Sequence, residues 1–155
     1  MFRLLFWVVL FLLFAGACLV WMLLRPTLFA RRMERALREF VRDRAKLESL
    51  FFEKAAATGK PRGLAWKSCA FHSGVLMARD RANGEVIGLV GVTIGFEAIE
   101  GGGMEDVEAV GNFRAATAVF SWNGREWTTA GRAIFNLEPR EVIDRYRENL
   151  DPVTT

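Results

Sequence analysis

The chain reads as an α+β protein: an N-terminal transmembrane helix, then a long amphipathic helix packed on a curved antiparallel sheet of about five strands, then a short C-terminal helix. Three observations predict this. Leu4 to Leu24 is an unbroken run of 21 residues without a charge. Residues 28–57 carry apolar side chains at helical spacing, and from residue 64 onward short apolar runs alternate with Gly- and Asn-containing turns. The predicted segments are 1–25 as a membrane anchor, 26–62 as a juxtamembrane helix and turn, and 63–155 as sheet and C-terminal helix, with 26–155 folding as one domain.

A 21-residue helix is ~31 Å long at ~1.5 Å per residue, which matches a hydrocarbon core of ~30 Å. Trp7 and Trp21 stand near its two ends, where indoles favour the headgroup level. The alternative is a lipoprotein anchored through Cys18, because Phe14-Ala15-Gly16-Ala17-Cys18 loosely resembles a processing box. The apolar run continues past Cys18, however, whereas a signal's apolar region stops near its cleavage point.

Net charge is +3, but its distribution is more informative. Residues 25–62 hold 11 basic and 5 acidic side chains, and residues 63–155 hold 9 basic and 13 acidic ones. The excess of Arg directly after the apolar run predicts a cytoplasmic location for the domain. It also predicts contact of Arg31, Arg32, Arg35 and Arg38 with the bilayer and its anionic headgroups, since each juxtamembrane cation gains ~1 kcal/mol there. The acidic sheet half and the lack of interleaved aromatic and basic residues argue against nucleic acid. The soluble part contains one cysteine, Cys69, so it has no internal disulfide.

Pro26 and Thr27 predict that the anchor ends near Arg25 and a second helix starts just after it. In that helix Phe29, Met33, Leu37, Phe40, Leu47 and Phe51 define one face, while Arg31, Arg35, Arg38, Arg42 and Lys46 define the other. Thr58-Gly59-Lys60-Pro61-Arg62-Gly63 terminates it. Strands are then predicted at 64–71 and 75–81, separated by a turn at His72-Ser73-Gly74. Asn83-Gly84, taken as a two-residue hairpin turn, sets Val75, Met77 and Arg79 opposite Val92, Val90 and Gly88. Further strands are predicted at 85–99, 107–122 and 125–137, with a flexible Gly101-Gly102-Gly103 loop and a second hairpin at Asn123-Gly124. Glu138-Pro139 opens a short helix through Asn149, with Pro at the first helical position.

This element order resembles that of cystatin-like domains, in which a curved antiparallel sheet wraps one long helix, and more distantly that of NTF2-like domains. The resemblance rests on element order, and such folds host inhibitors, enzymes and binding modules alike, so it implies an architecture and no activity.

Few residues suggest chemistry. Cys69 and His72 are the only soluble thiol and imidazole, but three positions apart on a strand point to opposite faces. The turn at residues 72–74 would set Cys69 opposite Met77 in the core. One Cys and one His cannot complete a zinc site. Glu97, Glu100, Glu105, Asp106 and Glu108 read as a solvated acidic loop rather than a calcium site, and no cofactor motif is present. Glycines at 88, 91, 95, 111 and 131 predict sheet curvature or, alternatively, a small pocket walled by Trp66, Phe96, Phe113 and Trp127. Arg44 falls near the apolar helix face, where it must snorkel, pair with a carboxylate such as Glu48, Glu97 or Glu108, or meet an anion. The expected function is a non-catalytic module that binds an unidentified protein partner or a small ligand at the membrane surface. The alternative is an enzyme using that pocket, with His72 or an acidic residue as base and Arg44 as anion holder.

Overall fold

Helix α1 of the computed structural model spans Phe2–Thr58. The structure describes residues 2–58, 63–104 and 106–153, and the side chains at 2–5, 8, 23–27, 108 and 109 lie outside that description. The anchor predicted at Leu4 to Leu24 falls partly on those positions. Among the described residues no helix is long and apolar enough to cross a membrane. The predicted break after Arg25 does not occur, and helical backbone continues through position 26. A proline removes one backbone donor and crowds one carbonyl, and a helix nucleated on both sides propagates across that gap. The chain divides into two compact units, Met1–Leu37 and Arg38–Thr155.

In the first unit Arg31, Arg32 and Arg35 are exposed, as are the large apolar side chains of Phe6, Trp7, Leu12, Phe14, Trp21 and Met22.

The second unit is α+β, with the C-terminal part of α1 packed on a mostly antiparallel sheet. The strands are β1 (Leu64–Phe71), β2 (Leu76–Asp80), β3 (Val86–Ala98), β4 (Arg114–Trp122), β5 (Trp127–Thr128), β6 (Ala133–Phe135) and β7 (Leu150–Pro152). A short helix α2 (Pro139–Arg145) precedes β7. The sheet runs β5-β4-β3-β2-β7, with β1 also paired to β3 and β6 to β4. Both β1 and β2 run antiparallel to β3, β1 against residues 92–98 and β2 against residues 86–89. They therefore lie end to end along one edge of β3, while β4 occupies the other.

Alternation along β3 sends even-numbered residues to one face and odd-numbered residues to the other. On the even face, Phe40 packs edge-on against Phe120 and Trp127, with ring centroids 5.3 and 5.0 Å apart. Phe51 meets Phe71 at 5.6 Å and Phe120 at 5.7 Å. Such pairs contribute ~0.5–1.5 kcal/mol each beyond area burial. Gly88 makes room for them, because a Cβ there would lie 3.1 Å from the Trp127 ring. On the odd face Ile87 and Leu89 join Ala78, Val142 and Ile143 in a second apolar cluster under α2. The sheet is thus covered on both faces, where a single covering helix was expected from the sequence.

Several predicted boundaries are corrected. The Asn83-Gly84 hairpin closes with a four-residue loop: Asp80 and Glu85 pair, Gly84 donates its N–H to the Asp80 carbonyl at 2.8 Å, and the Asp80 carboxylate accepts from Ala82 N–H. Met77 consequently faces Gly88 rather than Val90. A two-residue slip keeps every side chain on its original face, so the apolar alternation cannot distinguish the two registers. In the second hairpin Asn123 pairs with Glu126, and Gly124, at φ +100°, takes the first central position.

The strand predicted at 107–122 begins at Arg114, after a 3-10 turn at Glu108–Gly111. The strand predicted at 125–137 is split into β5 and β6. Between them Gly131 packs against the α1 backbone at Lys54 and Ala55, where any Cβ would collide. The last helix ends at Arg145, and the chain returns as β7, with Asp80 paired to Leu150. Pro139 stands at the first turn of α2, and the Glu141 carboxylate accepts from Glu138 N–H at 2.7 Å.

Phe40→Ala should cost ~3–5 kcal/mol in urea denaturation of the full chain, because it empties a site contacted by two rings. Arg38→Ala, on the exposed side of the same helix, should change stability by less than ~0.5 kcal/mol. Equal small effects at the two positions would refute the packing of α1 on the sheet.

Candidate functional site

The segment between β1 and β2 is where the fold departs most from a regular hairpin ladder. His72 N–H still donates to the Gly91 carbonyl at 2.8 Å, and pairing resumes at Leu76 opposite Leu89. Three residues, 73–75, therefore stand opposite Val90 alone, a bulge with two residues more than its partner strand. The turn predicted at His72-Ser73-Gly74 does not form a hairpin, since β1 and β2 continue in the same direction.

A bulge leaves backbone groups outside the ladder, and these require other partners. Arg44 supplies them. Its Nη2 donates to the His72 carbonyl and its Nη1 to the Ser73 carbonyl, while Nε donates to the Glu48 carboxylate at 2.7 Å. The Arg44 side chain retains 23% of its accessible surface. Of the fates the sequence allowed, the structure pairs Arg44 with Glu48, and all three guanidinium nitrogens are engaged within the fold.

Cys69 pairs with Ile94, not with Met77, and so lies on the face covered by α1. Burial, with a smaller contribution from the nearby Glu48 charge, pushes its thiol from 9.0 up to about 12. His72 lies on the opposite face: its ring covers Gly91, where a Cβ would sit 2.7 Å from Nδ1, and its Nε2 is 3.3 Å from Thr93 Oγ1. The two residues are therefore separated by the sheet, as their spacing requires.

The aromatic residues predicted to wall a pocket are split between the faces in the same way. Trp66 and Phe96 stack edge-on at 5.4 Å, and Trp127 packs on Phe40, all beneath α1. Phe113 is 71% exposed and lies against Gly95, on the odd-numbered face. Small residues here admit neighbouring rings instead of opening a cavity. Arg38 is exposed, and Arg31, Arg32 and Arg35 lie in the other unit. Of the acidic residues, Glu97, Glu100 and Asp106 are exposed, while Glu105 and the Glu108 side chain lie outside the described residues. Among the described residues no group of three or more His, Cys, Asp or Glu side chains is placed to hold a metal ion.

The concave surface lies on the odd-numbered face, beside α2. A cleft of about 210 Å³ is floored by Ile87, Leu89, Val119 and Ile134, with Arg132 and Tyr146 among its polar residues. A groove of about 410 Å³ is lined by His72, Leu76, Leu89, Gly91, Pro139 and Arg140. Leu89 lines both. Sequence reasoning missed this face because its walls come from α2, β6 and β7, three elements brought together only by long-range pairing. The one local signal was His72 itself, opposite Gly91.

Two predictions follow from these contacts. Arg44→Met should cost ~1.5–3 kcal/mol in urea titration, since it strips charge-assisted hydrogen bonds from two bulge carbonyls and leaves Glu48 unpaired. The raised Cys69 pKa means that the folded state favours the neutral thiol. Above pH 9 the unfolded chain loses this proton while the folded chain keeps it. The contribution is thus fully present below pH 9 and is lost as pH rises toward 12. The fall in stability over that interval should be shallower in Cys69→Ala than in the wild type, and parallel slopes would contradict the assignment.

Comparison with protein-family models, with curated proteins and with solved structures finds no match for this chain.

Proposed function

We propose that the protein is a single-pass membrane-anchored binding module. The N-terminal part of α1 enters the bilayer, Arg31, Arg32, Arg35 and Arg38 lie against anionic headgroups, and residues 38–155 form a non-catalytic domain on the cytoplasmic side. The anchor reading is supported by the charge-free run Leu4 to Leu24 and by the exposure of Phe6, Trp7, Phe14, Trp21 and Met22, which range from 60% to 72%. Apolar side chains exposed around a helix are unfavourable in water and suited to lipid. The long helix packed on a mostly antiparallel sheet supports a cystatin-like or NTF2-like element order, an architecture that implies no activity.

The observation that carries the binding reading is the odd-numbered sheet face, where an apolar floor and a few polar groups form two adjoining concavities beside α2. Binding is favoured over catalysis because Arg44 is committed to the bulge and Cys69 is separated from His72 by the sheet.

The double variant Val9→Arg/Leu12→Arg should move the protein from the carbonate-washed membrane pellet to the supernatant, because each central Arg costs ~2.5–3.5 kcal/mol on insertion scales. Retention of the double variant in the pellet would rule out the spanning segment. A mature chain beginning at lipidated Cys18, detected by intact-mass measurement, would replace it with a lipid anchor.

A further inference from the structure

We propose that the smaller cleft is a site for a small monocarboxylate with an apolar body, the carboxylate held by Arg132. This rests on the reading of the α2 face as a binding surface and adds the ligand class. The position of Arg132 is fixed by backbone pairing: its carbonyl accepts from Val119 N–H at 3.1 Å, which sets residue 132 beside β4 just before β6. Ile134, two residues on, belongs to the apolar cluster on this face, so alternation sends Arg132 to the same side.

No salt bridge or side-chain hydrogen bond engages its guanidinium among the described residues. That distinguishes it from Arg42, Arg44 and Arg81, each of which is paired with a carboxylate. Tyr146 lines the same cleft, and its hydroxyl likewise has no protein partner among the described residues.

The chemistry of the two ends is opposite. Asp80, the acidic residue of the cleft, lies at the end of β2, paired with Leu150 of β7, and its carboxylate accepts from Ala82 N–H at 2.8 Å. Arg132 and Asp80 are three strand spacings apart across the sheet, ~14 Å at ~4.8 Å each, and Asp80 lies a further four residues along the strands, level with Glu85 rather than Leu89. The floor between them is Val119, Leu89 and Ile87, all apolar. A guanidinium prefers a planar carboxylate to a point anion, because its parallel N–H donors match the two oxygens. An apolar floor selects a carboxylate with a hydrocarbon body over a small inorganic anion. The cleft, at about 210 Å³, is smaller than the ~300–1,000 Å³ of pockets for drug-sized ligands, which suits a small ligand of about eight non-hydrogen atoms.

Tyr146 is the only tyrosine in the chain, so it provides a single spectroscopic reporter inside the cleft. Full-length protein labelled with ¹³Cζ-tyrosine and held in lipid nanodiscs should give one tyrosine signal. Titration with hexanoate at pH 7.5 should shift it saturably with a Kd on the order of 1 mM, a level set by the small size of the ligand. Hexanamide, equal in size but uncharged, should bind about tenfold more weakly, as expected when a charge-assisted pair is replaced by a neutral one. Arg132→Gln should remove the preference between the two ligands while leaving the ligand-free signal in place, and Arg125→Gln, in the exposed β4–β5 turn, should retain it.

Equal affinity for hexanoate and hexanamide in the wild type would overturn the carboxylate assignment but leave a binding face. A preference that survives Arg132→Gln would overturn the role of Arg132. No shift with either ligand would overturn the site together with the reading of this face as a binding surface.

Discussion

The burial of β3 on both faces is the constraint from which the rest of the domain follows. From Val86 to Phe96 only Thr93 escapes full burial, and every neighbour of this strand must cover one of its sides. A strand in that position tolerates no charge and little polarity. Its sequence accordingly runs through Val, Ile, Leu, Gly, Thr and Phe until Glu97 emerges at the end. Its two edges are used as fully as its faces: β4 takes one edge, and β1 and β2 share the other.

The two faces are covered by different means. The even-numbered face receives α1, with a chain of edge-on and tilted aromatic contacts linking Phe40, Phe120, Phe51 and Trp66. The odd-numbered face receives only the seven residues of α2, too short to cover a sheet of this width. Shallow concavities remain on either side of it, floored by the second apolar cluster. The location of the candidate site is therefore a consequence of unequal coverage. Arg44 projects from α1 to the β1–β2 bulge and meets the His72 and Ser73 carbonyls, while the His72 ring covers Gly91 on the opposite face.

Local signals read well where the chain's own chemistry decides the outcome. The turn regions at Asn83-Gly84 and Asn123-Gly124 and Pro139 at the first turn of a helix all follow from residues whose backbone preferences act within a few positions, while the terminator read at residues 59–62 lies outside the described residues. The reading failed where two arrangements have the same local pattern. Met77 opposite Gly88 and Met77 opposite Val90 give the same faces and differ only by two residues, and the choice was made by the Asp80 carboxylate capping a four-residue loop. Splitting of the last strand at Gly131 likewise depends on α1 backbone some 76 positions earlier in the chain.

What the sequence by itself determined is the kinds of element and their polarity, not their number: a charge-free N-terminal run, an amphipathic helix with a basic side, an antiparallel sheet with a long apolar strand, and a proline-initiated short helix. These follow from periodicity and from the backbone limits of Gly, Pro and Asn, which operate at short range. Only the tertiary structure decided that β1 and β2 would share one edge of β3, that β7 would return to pair with β2, and that Arg44 would close the bulge. It also placed Arg132 and Tyr146 on one cleft, although they come from the approach to β6 and the end of α2. Each of these depends on pairing between segments far apart in the chain. Short-range preferences leave such pairings equivalent, and only burial of both faces of β3 separates them.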